Sequence, residues 1–153
     1  MRFAEAIAPF VDGIYYVITE AGEPELRDLV YSDLMRARDA EILNSNSWSE
    51  SILHLHTAVL DFDHFCEYPV KTLHWDETKL GISMRDGQRR FPGIVSGGIS
   101  WSIDGWNSPG EIEKATRAAC KEIDTNRFLM SSGCVIPYRT PEEQILTFRN
   151  TDC

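Results

Sequence analysis

Five times along the chain a short β-branched, aromatic or aliphatic run is followed by an amphipathic stretch. That alternation restricts the fold to a parallel sheet with right-handed crossovers. The strands read as GIYYVI (13–18), SILHLH (51–56), VKTLHW (70–75), GIVSGGI (93–99) and RFLMSS (127–132). From Pro24 to about Asn44, Leu26, Leu29, Val30, Leu34, Ala37 and Ile42 recur at helical spacing. Further helices are expected over 60–68, over 82–91 with Gly87 inside it, from Ser108-Pro109 to about Ile123, and over 141–150. Ser108 and Thr140, each before a proline, read as N-caps.

At 153 residues the chain is long enough for one domain, 1–153, and too short for two. Five βα units suit a doubly wound open sheet or part of a barrel. A closed (β/α)8 TIM-type barrel needs eight units and about 250 residues. A partial barrel leaves two unpaired strand edges, which a second copy, another chain or a missing segment must cover. Net charge is 15 − 24 = −9 with a pI near 4.8, so phosphate backbones are repelled and nucleic acid is excluded as a partner. No apolar run reaches the roughly 18 residues of a membrane span, and no basic-then-apolar leader opens the sequence, so the expected location is cytoplasmic. Cys66, Cys120, Cys134 and Cys153 form no CxxC pair and are expected to be free thiols.

Both architectures place chemistry at the carboxyl ends of the strands, which here means Thr19-Glu20, His54 to Thr57, His74 to Glu77, Gly97 to Ser100 and Ser132 to Val135. His54 and His56, two apart on a strand, share a face, with Leu53 and Leu55 on the other. Two His and Cys134 on one rim, with a fourth position open, would suit catalytic Zn2+. The alternatives are a hydrogen-bonded His pair and a packed loop thiol. Asp76 and Glu77 are candidate proton carriers or further ligands, or else part of a solvated acidic turn. Tyr15 flanks the first rim as a candidate cofactor contact or a core residue. Gly97 and Gly98 permit a close approach to the backbone, by a cofactor or by a neighbouring strand.

ILHLHTA (52–58), YPVKTLHW (68–75), FPGIVSGGI (91–99) and SSGCVIPYRTPEE (131–143) resemble, in order and rough spacing, the carboxyl-terminal part of the uroporphyrinogen decarboxylase superfamily. The resemblance runs from about DGIYYV (12–17) to the end. It implies a β/α barrel roughly twice as long as this chain, and one of two activities. One branch decarboxylates the tetrapyrrole uroporphyrinogen in porphyrin biosynthesis. The other comprises zinc-dependent methyltransferases that move a methyl group from a corrinoid to a thiol. Decarboxylases carry Gly-His-Gly where Gly133-Cys134-Val135 stands here, and the methyltransferase branch uses that Cys as a zinc ligand. The branch's His-X-Cys pair corresponds to His54-Leu55-His56, so His replaces Cys at the middle position and lowers the negative charge at the metal. Methionine synthases, more distant relatives, carry a carboxylate where Glu77 stands. The decarboxylases' arginine-rich amino-terminal segment is not found ahead of these blocks; Arg85, Arg89, Arg90 and Arg139 are the cations available. The resemblance thus implies a thiol methyltransferase with His54, His56 and Cys134 on zinc. Its alternatives are a tetrapyrrole decarboxylase or binding protein, and a non-catalytic partial barrel completed by a homodimer partner or another chain.

Overall fold

The computed structural model describes residues 2–19, 35–45, 48–56, 62–102, 106–121 and 123–153. The five expected strands form one sheet in sequence order: β1 (Tyr15–Ile18), β2 (Ile52–Leu55), β3 (Thr72–Trp75), β4 (Ile94–Ile99) and β5 (Phe128–Ser132). Every neighbouring pair is parallel. The described helices are α1 (Arg2–Ile7), α2 (Arg36–Leu43), α3 (Phe62–Cys66), α4 (Glu77–Leu80), α5 (Met84–Arg90), α6 (Pro109–Cys120) and α7 (Glu142–Asn150). The architecture is α/β and matches a partial TIM-type barrel. The first part of the helix expected from Pro24 lies outside the described residues.

Strand alternation sorts the side chains into two faces. Leu53, Leu55, Leu73, Trp75 and Val95, each at most 1 % exposed, join Phe62, Phe65, Met84 and Phe91 in the core under the helices. Burying such a side chain contributes about 1.5–3 kcal/mol. A smaller cluster of Ile99, Trp106 and Ile112 continues it. Trp75 explains the glycine inside α5: a Cβ on Gly87 would collide with the indole, so helix and sheet close only over a bare backbone.

The opposite face is set by register. Val17 pairs with His54, His54 with His74, His74 with Ser96 and Ser96 with Leu129, making one row across all five strands. Its middle is buried, while Val17 and Leu129 at its ends are 42 % and 47 % exposed. The sheet therefore opens at β1 and β5.

Several local expectations change. Ser108 caps α6 as expected, accepting from the Glu111 N–H. Helix α7 instead starts at Glu142 with Pro141 as its N-cap and no side-chain cap. The Thr140 N–H is drawn into a turn with the Pro137 carbonyl, which leaves Thr140 one residue short of capping. Helix α1 was not expected, although Phe3, Ala6, Ile7 and Phe10 recur at helical spacing, and the four-residue α4, ending on Gly81 at φ 70°, is too short for a period to show. The free-thiol reading fails for two of the four cysteines. Cys120, at the end of α6, is disulfide-bonded to Cys153, Cα atoms 5.3 Å apart, because α7 packs on α6 and the chain just after α7 reaches the end of α6. Cys66 and Cys134 are not disulfide-bonded.

Candidate metal centre

The carboxyl ends of β2 and β5 meet over the open face. His54, one residue before the end of β2, points inward and is 2 % exposed, and the chain leaves the strand with His56 on the same side and exposed. From β5, Gly133 turns the chain so that Cys134 reaches the same point. A Cβ on Gly133 would run into Asp76, so this turn also requires a bare backbone. The His56 Nδ1 lies 3.4 Å from His54 Nε2 and 3.3 Å from Cys134 Sγ. All three donor atoms fall within 4.8 Å of one another. A tetrahedral metal holding two imidazoles and a thiolate at bond lengths of about 2.0–2.3 Å spaces its ligands about 3.3–3.6 Å apart. The donor set suits Zn2+, the two separations at His56 match that spacing, and three protein ligands leave one position open.

The electrostatics keep the donors in distinct states. His54 is pushed down to about 4 by burial, then by the His74 and His56 imidazoles; its ring is neutral near pH 7 and keeps a lone pair for a metal. Its buried Nδ1 has no hydrogen-bond partner among the described residues, though the His74 main chain on the neighbouring strand weakly favours its protonation. Burial also raises the Cys134 thiol above its ordinary value, helped by the Asp76 charge and opposed by the Val135 main chain. Without a metal, Cys134 is held as the thiol.

His74, left without a role by the sequence, proves central. Its Nε2 lies 2.8 Å from the Ser132 carbonyl and its Nδ1 2.8 Å from the Tyr15 hydroxyl. A carbonyl only accepts, so Nε2 carries the proton and Nδ1 accepts from Tyr15. Burial lowers the His74 pKa, against the opposing pulls of Ser132 and Asp76. Tyr15 also stacks on His54 at 5.7 Å, and burial beside Cys134 pushes its phenol up to about 12. The available signal for His74 was positional: it occupies the inward place of TLHW that His54 occupies in ILHL.

The remaining candidates are placed differently. Asp76 is 3 % exposed and accepts from the Thr78 N–H and hydroxyl, the Ser100 hydroxyl and the Trp101 N–H. Burial works to raise its pKa, but those hydrogen bonds hold it below the usual carboxylate value. It thus remains a charged brace between the ends of β3 and β4. The Glu77 carboxylate accepts from the Met84 N–H at 3.0 Å. The close approaches at Gly97 and Gly98 come from Met84, the Trp75 carbonyl and Met130. Arg89 and Arg90 pair with Asp86 and Asp63 where α5 returns toward the amino end of β4, away from the rim. Arg139 lines a cleft of about 540 Å³ with Trp106, Tyr138 and Gln144, beside the start of α7. Among the described residues no helix is long and apolar enough to cross a membrane.

No family model matches this sequence, and no curated protein does. A solved structure of a methyltransferase from Methanosarcina mazei superposes with a TM-score of 0.77 at 16 % identity, covering 97 % of this chain and 44 % of that one. At that identity the likeness establishes the fold. The chain spans less than half the length of that methyltransferase.

Proposed function

We propose that this chain carries a zinc-dependent, methyltransferase-like site that moves a methyl group from a corrinoid donor to a thiol acceptor. The observation that carries the reading is the meeting of His54, His56 and Cys134 at metal-ligand spacing on a fold shared with a methyltransferase. Bound there, Zn2+ would supply Lewis-acid stabilisation of the acceptor's thiolate, the nucleophilic form of sulfur. His54 offers a ring already neutral, Cys134 gives up its proton to bind, and exposed His56 borders the side from which an acceptor enters. Asp76 holds the β3 and β4 ends that frame the site. Glu77, with its carboxylate on the Met84 N–H, would have to exchange that bond to serve as a further ligand.

We also propose that the open edges at β1 and β5 are covered by further βα units, from a second copy or another polypeptide segment. The half-exposed Val17 and Leu129 beside them support this. Elemental analysis of freshly purified protein, with its mass in solution, tests both proposals. About one zinc per chain, lost in Cys134→Ser, is expected; unchanged zinc in that variant overturns the ligand assignment. A metal-free, cooperatively folding monomer would overturn both.

A further inference from the structure

His74 touches both halves of the site without being one of the three candidate ligands. Its Nε2–H is donated to the carbonyl of Ser132, two residues before Cys134. Ser132 is 6 % exposed, so that carbonyl has little access to water. The N–H of that same peptide, on Gly133, is donated to the Ile99 carbonyl at 2.6 Å, and the turn is closed by the Ser132 hydroxyl on the Val135 carbonyl at 3.0 Å. On its other side the His74 ring lies 4.5 Å from the His54 ring, tilted by 32°, and accepts the Tyr15 proton. One imidazole thus bears on both the buried ligand of β2 and the turn that delivers the ligand of β5.

We propose that the Tyr15–His74–Ser132 hydrogen-bond chain is the clamp that sets the coordination geometry of Cys134, with His74 as a positioning residue. The inference rests on the zinc reading. Groups that orient metal ligands from behind are worth about 10–100-fold in metal affinity. His74→Phe keeps a flat ring against His54 but can neither donate to Ser132 nor accept from Tyr15. His74→Gln can do both through its amide, and Tyr15→Phe removes only the outer bond.

The test is titration with Co2+, following the thiolate-to-cobalt charge-transfer band, together with Zn2+ affinity by chelator competition. His74→Phe is expected to bind about 10–100-fold more weakly, with a displaced or weakened thiolate band, and His74→Gln to restore most of both. Tyr15→Phe, which leaves the buried core intact, should show a smaller change in the same direction and carries the test if His74→Phe does not fold. Wild-type affinity and spectrum in His74→Phe, or in Tyr15→Phe where it stands alone, would overturn the clamp while leaving the zinc site standing. A wild-type chain that binds neither metal would overturn the zinc reading, and the clamp with it.

Discussion

Replacing His54 with Leu should change how the metal-free protein responds to acid, and the size of the change follows from the site. The folded ring titrates at about 4 because it is buried among imidazoles, whereas the unfolded chain takes up its proton near the ordinary 6.5. A depressed folded value means that stability is fully present above 6.5 and is lost as pH falls from 6.5 toward 4, since the unfolded state binds the extra proton in that window. A displacement of 6.5 − 4 = 2.5 pH units corresponds to about 3 kcal/mol in full, of which about 2 kcal/mol has gone by pH 5. Leucine has no such proton and about the same volume. Urea unfolding with a chelator present, at pH 7.5 and pH 5, should therefore show wild type losing about 2 kcal/mol more than His54→Leu. His74 is lowered in the same direction in both proteins, and its coupling to His54 is part of the difference that is read. Equal losses would refute the argument, because His54 would then be solvated or already partnered in the fold.

Three other outcomes follow from described contacts. Asp76→Ala removes the acceptor of four hydrogen bonds and should lower stability by about 2–4 kcal/mol in urea unfolding, Asp76→Asn recovering only part. Cys120→Ser opens a loop of 33 residues and should cost about 4 kcal/mol by chain entropy, a loss that reductant reproduces in wild type but not in the variant. Because the raised Cys134 thiol must shed its proton to bind, Zn2+ affinity by chelator competition should rise about tenfold per pH unit near neutrality, and a flat profile would mean Cys134 is not a ligand.

The parallel sheet was legible because each strand carries a dense apolar run that only burial under helices can satisfy. The His54–His56–Cys134 group was legible because strand periodicity puts both imidazoles on one face and parallel topology puts both strand ends on one rim. The inward place of His74 in TLHW matches that of His54 in ILHL, but its importance lies in the register that sets His54 against His74, which only the pairing of β2 with β3 fixes. The charge of Asp76 marked it as a proton carrier, a further ligand or part of a solvated turn, and the spacing did not foretell its burial under donors from Thr78, Ser100 and Trp101, which arrive from two segments. The Cys120–Cys153 pair depends on how α7 lies on α6, a tertiary fact invisible in spacing.

Strands β2 and β5 are not neighbours: β3 and β4 lie between them. In a flat sheet, three spacings of about 4.8 Å would hold their ends about 14 Å apart. Yet the His56 ring nitrogen and the Cys134 sulfur are separated by 3.3 Å. The site is therefore a gauge of curvature, assembled by the curl of the sheet together with the inward lean of its side chains. Anything that seals the two open edges and holds the bend would tighten the grip on a metal, and a bound metal would in turn hold the bend for whatever docks there.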